Sequence, residues 1–258
     1  MSRAKTVSQW FDSYRLRPRI NAIIEHLLPA QAGEYMILAG RTGIGKTNLA
    51  LTLAYHIASG RAWEKFSVSQ SRCLYLALEG DEGNLIDRAM KVSQRFGNVD
   101  SSLRCAYITR DNPRRMLEEI KGSITDEQVV IIDGGRLIMD RDYCKAKDTD
   151  SMVTDLMKWL TEKGLVAIIT LQITKPGQAS NRRIDADDVY NVKGATELVD
   201  SATSVLVLEK HKRTDLIDIY FSKHRIAAIE TPNMMVEWLK DECRFKYWPT
   251  VQGSRDAD

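Results

Sequence analysis

Apolar and polar positions alternate along the chain in blocks that predict strands and helices in turn. Short continuous apolar runs are typical of strands buried on both faces, and apolar residues three or four apart are typical of helices packed on one face. Strands are predicted at residues 35–39, 73–78, 104–109, 129–132 and 165–171. Helices are predicted at residues 46–58, 85–96 and 113–122, and from about 149–151 to 163. The alternation predicts an α/β fold with a mostly parallel, twisted sheet flanked by helices.

The pattern differs in three other parts of the chain. Residues 20–28 predict a short helix that ends at Pro29, and residues 173–193 form a polar loop of a length that usually carries a function. After that loop, residues 204–208, 216–222, 234–239 and 244–248 predict C-terminal antiparallel strands. The predicted organisation is an N-terminal basic extension over residues 1–27, one domain over residues 28–250 and a flexible tail over residues 251–258.

Composition limits the partners that the chain can have. Its 258 residues are 43% hydrophobic and 28% charged, which is ordinary for a globular domain with a sizeable core. The net charge of +2 gives no overall electrostatic case for nucleic acid, so such a case rests on local patches. One patch is residues 1–20, where five Arg or Lys oppose Asp12. This patch could be a nucleic-acid arm, a segment that docks on a neighbouring subunit, or a solvated extension.

Cysteine spacing and hydropathy bear on the compartment. The four cysteines lack the paired spacing of a zinc site or a secreted disulfide framework. The N-terminus has no apolar leader, and no apolar run is long enough to span a bilayer. The sequence therefore predicts a soluble, cytoplasmic protein with no membrane partner.

The strongest chemical signal is a G-x-x-x-x-G-K-T motif between the first predicted strand and the first predicted helix. Its glycines let backbone N–H groups surround phosphate oxygens, and the helix N-terminus adds positive partial charge. Lys46 is expected to reach the β- and γ-phosphates, and the Thr47 hydroxyl is expected to ligate Mg²⁺. The chain is therefore predicted to bind a nucleoside triphosphate. The predicted binding loop consists of Gly40, Arg41, Thr42, Gly43, Ile44, Gly45, Lys46 and Thr47.

Two carboxylates complete the predicted nucleotide site. Asp133 ends an apolar strand, as in a Walker B motif, and is expected to hold Mg²⁺ through its water shell. The alternative is a strand-ending Asp that caps a turn. Many P-loop ATPases have a catalytic Glu directly after the Walker B Asp, but in this chain that position is Gly134. The candidate general base is therefore Glu79, at the end of the second predicted strand, with Glu82 as the weaker candidate. The alternative for Glu79 is an ordinary helix-capping role, with Asp81 as the cap.

These residues resemble those of RecA-like ATPases, and within them the hexameric replicative helicases of the DnaB type and the plasmid RepA-type helicases. The resemblance covers residues 27–248. It implies a RecA-like ATPase domain that hydrolyses ATP, with the catalytic Glu after the second strand. Gln172 matches the polar sensor that contacts the γ-phosphate and relays its state to a DNA-facing loop. The resemblance also implies a short helix that Gly194 opens and Asp200 ends.

The same resemblance implies that the active site is shared between subunits. The segment from Ser222 to Arg225 is similar to the K-x-R element that these helicases insert into a neighbour's site. Arg225 would be the arginine finger and Lys223 its companion, stabilising charge on the transferred phosphoryl group. A homo-oligomer, a hexameric ring in these relatives, is therefore expected. In the absence of this resemblance, two solvated cations at a strand end are the ordinary interpretation.

DNA contacts have weaker support in the sequence. The polar segments 136–150 and 173–193, which would face DNA, are close to neutral, and Ile173 stands where RepA-type helicases carry a second histidine. Arg136, Arg182 and Arg183 are the weak candidates for contacting single-stranded DNA. The leading hypothesis is a ring-forming helicase or translocase. The alternative is a non-motor, RecA- or KaiC-like ATPase that serves as a switch, loader or recombination accessory. The C-terminal strands argue against a third possibility, a small-molecule P-loop kinase.

Overall fold

The computed structural model describes residues 22–109, 113–138, 146–173, 196–211, 216–225 and 233–248. Most of these residues build one nine-stranded sheet with helices on both faces. After a hairpin of two short strands, β1 (Ala22–Ile24) and β2 (Leu28–Pro29), the strands of the sheet are β3 (Tyr35–Gly40), β4 (Cys73–Ala77), β5 (Leu103–Tyr107), β6 (Val129–Asp133), β7 (Val166–Gln172), β8 (Ser204–Lys210), β9 (Leu216–His224), β10 (Met234–Leu239) and β11 (Arg244–Trp248). Their order in the sheet is β5-β4-β6-β7-β3-β8-β9-β10-β11.

The six strands from β5 to β8 run parallel, and the last three pair antiparallel. Helices connect the parallel strands, as the alternating sequence pattern predicted. They are α1 (Lys46–Ser59), α2 (Glu82–Phe96), α3 (Pro113–Ser123), α4 (Ala146–Lys163) and the short α5 (Thr196–Ser201). A 3₁₀ turn, Gly135–Ile138, follows β6. The predicted fold class is confirmed: a mostly parallel twisted sheet flanked by helices, with C-terminal antiparallel strands.

Two hydrophobic layers cover the two faces of the sheet. Successive residues of a strand point to opposite faces, so Met36 and Leu38 pack with α1 while Tyr35 and Ile37 pack on the other side with α3 and α4. The central strands β4 and β6 are buried along their whole length. This burial explains why their sequences read as continuous apolar runs.

The strand register brings the carboxyl ends of four parallel strands to the same edge of the sheet. Gly40 at the end of β3 pairs with Gln172 at the end of β7, and Ala77 of β4 pairs with Asp133 of β6. Ligands bind at this edge in open α/β sheets, because the loops that leave these strand ends surround a crevice. We call it the carboxyl edge.

The helix predicted at residues 20–28 is wrong. Ala22–Ile24 (β1) and Leu28–Pro29 (β2) form a small antiparallel hairpin, with His26 in the left-handed region at φ 64°. Leu27 and Leu28 are fully buried in the core. The spacing of Leu27 and Leu28 relative to Ile23 and Ile24 is typical of one face of a helix. The chain instead turns at His26, and the resulting hairpin places the same side chains in the core.

Three predicted features lie outside the described residues: most of the basic N-terminal extension, the polar loop from residue 174 onward and the C-terminal tail. Helix α4 begins a few residues earlier than predicted. No helix in the described part of the chain combines the length and the hydropathy that crossing a bilayer requires.

Candidate functional site

The G-x-x-x-x-G-K-T loop connects the end of β3 to the start of α1 at the carboxyl edge. Gly45 is the N-cap of α1 and adopts a left-handed conformation, φ 105°, with no side-chain cap bond. An uncapped helix start leaves backbone N–H donors directed out of the helix, and the helix dipole makes this end favourable for anions. The loop therefore has the local structure that a phosphate-binding role requires.

Lys46 lies beneath this loop and is 8% exposed. Its Nζ donates hydrogen bonds to the carbonyl oxygens of Gly40 and Arg41, both at 2.9 Å. Burial lowers the pKa of Lys46, while the nearby carboxylates of Glu79 and Asp133 oppose that shift. The ammonium group is thus held at the loop, within the electrostatic influence of the two carboxylates that the sequence analysis selected.

Asp133 is held on both sides by neutral hydroxyl groups. It is 2% exposed, and its Oδ2 accepts a hydrogen bond from the Tyr75 hydroxyl at 2.7 Å. Its Oδ1 accepts one from Thr170 Oγ1 at 2.8 Å, and that hydroxyl in turn accepts from the Gly134 backbone N–H at 2.8 Å. Burial, and then the Asp133 charge, hold the pKa of Tyr75 far above its usual value, so Tyr75 remains a donor. Sequence reasoning did not identify Tyr75 or Thr170.

Glu79 lies two residues beyond β4, in contact with the turn after β6. The Leu78 N–H donates to the Asp133 carbonyl at 2.8 Å, which ties the two strand ends together. The cap of α2 is Asp81, whose Oδ1 accepts from the Asn84 N–H at 2.8 Å. Glu79 is therefore not the helix cap. Glu82 is the exposed first residue of α2 and does not line the cleft described next.

A cleft of about 470 Å³ joins the loop, Glu79 and Gln172. Beside it lies a second cavity of about 950 Å³, between the loop, α2 and the C-terminal strands. Asn48, Asn84 and Arg88 line both spaces, and sequence reasoning missed all three. The four-residue spacing of Asn84 and Arg88 on α2 was the available signal, because it places both on one helix face. Asn48 Oδ1 is buried with no hydrogen-bond partner among the described residues.

Gln172 lies at the carboxyl edge as predicted, and Arg136 contacts it there. Arg136 is half-buried in the 3₁₀ turn after β6, and its Nη1 donates a hydrogen bond to Gln172 Oε1 at 3.2 Å. The other two candidate DNA contacts, Arg182 and Arg183, lie outside the described residues.

Lys223 and Arg225 lie at the opposite edge of the sheet. His224 pairs with Ser204 at the start of β8, and Ser204 pairs with Met36 near the start of β3. The carboxyl end of β3 is four residues further, roughly 13 Å along the strand. The K-x-R element therefore cannot reach the phosphate loop of its own chain.

Both cations instead bind the carboxyl end of α5. Lys223 Nζ donates to the carbonyls of Val199 at 2.7 Å and Asp200 at 2.5 Å. The Arg225 guanidinium donates to the carbonyls of Asp200 and, at 3.4 Å, Ser201. Burial, and then the Arg225 charge, lower the pKa of Lys223. Cations are favourable at a helix C-terminus, so within one chain this element caps α5.

Comparison with known proteins agrees with this architecture. The AAA domain family matches residues 2–178, well over half of the sequence. A similar solved structure is that of a KaiC-like protein from the hyperthermophilic archaeon Pyrococcus horikoshii OT3, with a TM-score of 0.60 and 17% identity. The match covers 90% of this chain and 100% of the other. At this identity the likeness concerns the fold alone. No curated protein matches the sequence.

Proposed function

The chain belongs to the AAA domain family and is a RecA-like P-loop ATPase, and we propose that it is a ring-forming motor that hydrolyses ATP while acting on single-stranded DNA, as a helicase or translocase. One observation carries the ATPase part of the proposal. Lys46, Glu79 and Gln172 line a single cleft at the carboxyl edge, and the buried Asp133 lies beside it.

The phosphate chain of ATP would lie over the loop and the start of α1. Lys46 would exchange its bonds to the Gly40 and Arg41 carbonyls for bonds to β- and γ-phosphate oxygens, which are stronger because both partners are charged. Because this lysine is already buried at the loop, it needs little rearrangement to meet the phosphates. Loss of Lys46 should therefore abolish binding and hydrolysis together.

The residues around the loop suit Mg²⁺, a hard cation that prefers oxygen ligands. The Thr47 hydroxyl lines the cleft, and each Asp133 carboxylate oxygen accepts only one described hydrogen bond, which leaves lone pairs for metal-bound water. When bound, Mg²⁺ would neutralise charge on the β- and γ-phosphates. The hydroxyls of Tyr75 and Thr170 would keep Asp133 in one orientation.

Glu79 is the proposed general base. It would orient a water molecule for attack on the γ-phosphate and accept its proton. The nucleoside part of ATP is expected to extend along α2 into the 950 Å³ cavity, where Asn48 and Arg88 are available. The guanidinium plane of Arg88 can stack on a base, and the side-chain amide of Asn48 can form hydrogen bonds with amino or hydroxyl groups.

Lys223 and Arg225 would complete the site of a neighbouring subunit. Their distance from the loop of their own chain supports a role between subunits rather than within one. Assembly into a ring would then be necessary for fast hydrolysis, because transition-state charge would lack its arginine finger in an isolated chain.

The alternative is a non-motor ATPase of the RecA or KaiC type that acts as a switch, loader or recombination accessory. It uses the same nucleotide residues. Two observations favour it: the polar segment 173–193 is nearly neutral, and Arg136 is already bonded to Gln172. Both reduce the positive charge that is available for a DNA strand.

The ATPase rate separates the two functions. It is measured at low salt with and without single-stranded DNA, across a range of protein concentration, with Lys46→Ala as the inactive control. A rate that rises with DNA and steeply with concentration supports the ring-forming motor. A rate indifferent to DNA contradicts the motor and supports the switch or loader. No hydrolysis above the Lys46→Ala background contradicts both.

A further inference from the structure

We infer that Arg136 is a positioning residue that fixes the side-chain amide of Gln172 with its NH₂ group toward the phosphate cleft. The inference deepens the proposed ATP site and replaces the DNA-contacting role that the sequence suggested for Arg136. It begins from one contact, in which Arg136 Nη1 donates to Gln172 Oε1 at 3.2 Å.

The chemistry of the two side chains permits only one orientation of the amide. A guanidinium carries donors and no acceptor, so the atom of Gln172 that faces it must be the oxygen. The nitrogen of the same amide is then directed away from Arg136. Because Gln172 lines the 470 Å³ cleft together with Lys46 and Glu79, the NH₂ group is available to that cleft.

This orientation matters because the expected ligand is an anion. Phosphate oxygens accept hydrogen bonds, so a γ-phosphate is attracted by the amide NH₂ and repelled by the amide oxygen. An amide free to rotate by 180° would present either atom at comparable cost. Arg136 removes that freedom before ATP arrives, and groups that are already oriented need no reorganisation during the reaction.

Local backbone geometry explains how Arg136 reaches β7. Gly135, at the start of the 3₁₀ turn, packs directly on that strand. A Cβ built on Gly135 would lie 2.5 Å from Ile169 Cγ2 and 3.0 Å from the Thr170 carbonyl oxygen. The preceding residue is also tied to β7, because the Gly134 N–H donates to Thr170 Oγ1 at 2.8 Å. The turn is thus fixed against the strand that ends in Gln172.

The inference is tested with Arg136→Met, which keeps an unbranched, flexible side chain similar to the aliphatic part of arginine and removes every donor. Arg72→Met is the matched control, because Arg72 pairs with Asp126 in a surface ion pair outside the cleft. The first readout is the affinity for ADP relative to a non-hydrolysable ATP analogue, which requires neither hydrolysis nor DNA. The second is the split between kcat and KM for ATP in the DNA-free protein, and the third is the dissociation constant for single-stranded DNA.

We expect Arg136→Met to reduce the preference for the ATP analogue over ADP and to lower kcat by roughly 10- to 100-fold, because a misplacement of about 1 Å in a preorganised site can cost up to about 10²-fold. ADP affinity should be unchanged, and Arg72→Met should match the wild type. In a Gln172→Leu background the Arg136→Met change should cost nothing further, since the hydrogen bond that it removes is already absent. Arg136→Lys, which retains a donor, should recover part of the loss.

Three results would overturn the inference: an unchanged nucleotide preference in Arg136→Met, losses that add fully in the double variant, or weakened DNA binding as the sole effect. The last result would make Arg136 a DNA-contacting residue. DNA binding by Arg136→Met should then depend less steeply on salt than wild-type binding, by about one phosphate contact. The proposed function fails separately. If the wild-type chain binds the analogue but does not hydrolyse ATP, the ATPase motor is refuted. The affinity for ADP relative to the analogue still tests the orientation of Gln172 in that case.

Discussion

At the scale of single residues, Gly134 determines which carboxylate can act in this site. It has φ 98°, a conformation that strains any residue with a side chain, and a Cβ built there would lie 3.0 Å from Glu79 Cγ. A glutamate at this position, as in many P-loop ATPases, would therefore displace Glu79. Glu79 can therefore occupy its position after β4 because the residue that follows Asp133 has no side chain.

Gly134→Ala should therefore lower both stability and activity. We expect the free energy of unfolding to fall by about 1–2 kcal/mol from backbone strain, and kcat to fall because the Glu79 side chain is pushed aside. Gly164→Ala is the control, since Gly164 also has a positive φ, 70°, but nothing lies within 4 Å of its built Cβ. The control should lose stability and keep kcat. Equal kcat in the two variants would show that the Glu79 contact is unimportant. Urea unfolding and steady-state kinetics give both quantities.

The role of Glu79 is tested by removing its charge alone. Glu79→Gln should lower kcat by roughly 10²–10⁴-fold, the usual contribution of a general base, and leave ATP binding nearly unchanged. Glu82→Gln is the matched control, because Glu82 is an exposed residue of α2 outside the cleft. If Glu82→Gln loses more activity than Glu79→Gln, the assignment of the base is reversed. Single-turnover hydrolysis and nucleotide titration measure the two effects.

At the scale of secondary-structure elements, the short helix α5 is anchored by groups from three other positions. The Tyr35 hydroxyl donates to the Leu198 carbonyl at 2.5 Å, and Lys223 and Arg225 bind the next three carbonyls. A six-residue helix has little stability of its own, so these contacts fix it to the sheet. Burial raises the pKa of Tyr35, which keeps its hydroxyl a donor.

Tyr35→Phe should loosen α5 and thereby misplace the two cations. We expect a loss of about 0.5–1.5 kcal/mol in the free energy of unfolding, the usual value of one hydrogen bond, and a lower kcat in the assembled protein. Tyr55→Phe is the matched control, because its hydroxyl donates to the Ala89 carbonyl at 3.0 Å, away from α5. The control should lose similar stability and keep kcat. A kcat unchanged in Tyr35→Phe would argue against a role of α5 in positioning Lys223 and Arg225.

The parallel strands and their helices could be predicted from sequence because their signals are local. Buried strands read as apolar runs, and Gly60 and Gly164 mark helix ends. The hairpin Ala22–Pro29 could not, because its apolar spacing also fits a helix. What selects the hairpin is a distant segment: the Glu25 N–H donates to the Ser67 carbonyl, and the Ser69 N–H donates to the Ile23 carbonyl.

The same distinction holds in the site. The phosphate loop, Asp133 and Glu79 were singled out at the ends of predicted strands, so their meeting at the carboxyl edge was predictable, while their chemical roles remain predictions. Tyr75 and Thr170 come from the interiors of two strands, where they look like ordinary sheet residues. Only the neighbouring position of β4, β6 and β7 in the sheet shows that both hydroxyls bind Asp133.

At the scale of the whole molecule, the sheet separates two chemical groups. The phosphate loop and its carboxylates lie at the carboxyl edge, and the K-x-R element lies at the other edge, beside the start of β3. An enzyme that needs both must bring two copies together, with the opposite edge of one subunit near the carboxyl edge of the next. Head-to-tail contacts of this kind generate a ring where the rotation between subunits closes and an open filament where it does not, and the proposed assembly is the ring.

Two inactive variants should therefore restore activity to each other. Arg225→Ala removes the proposed finger, and Glu79→Ala removes the proposed base, so each variant alone should bind ATP and hydrolyse almost none. In a mixed ring, some interfaces combine the intact loop and Glu79 of an Arg225→Ala subunit with the intact Arg225 of a Glu79→Ala subunit. We expect the ATPase rate of the mixture to exceed that of either variant and to peak near equal amounts.

The controls separate catalysis between subunits from the capping of α5. Arg225→Lys retains a donor for the α5 carbonyls but not the planar fork of a guanidinium, so it should keep the stability that Arg225→Ala loses while remaining slow. Mixing Arg225→Ala with Lys46→Ala should also restore activity, because Lys46 and Arg225 belong to opposite sides of the shared interface. Mixing Glu79→Ala with Lys46→Ala should not, since both changes damage the same side. Assembled mixtures of Arg225→Ala and Glu79→Ala that stay inactive would contradict a finger supplied by the neighbouring subunit and leave Arg225 as a helix cap.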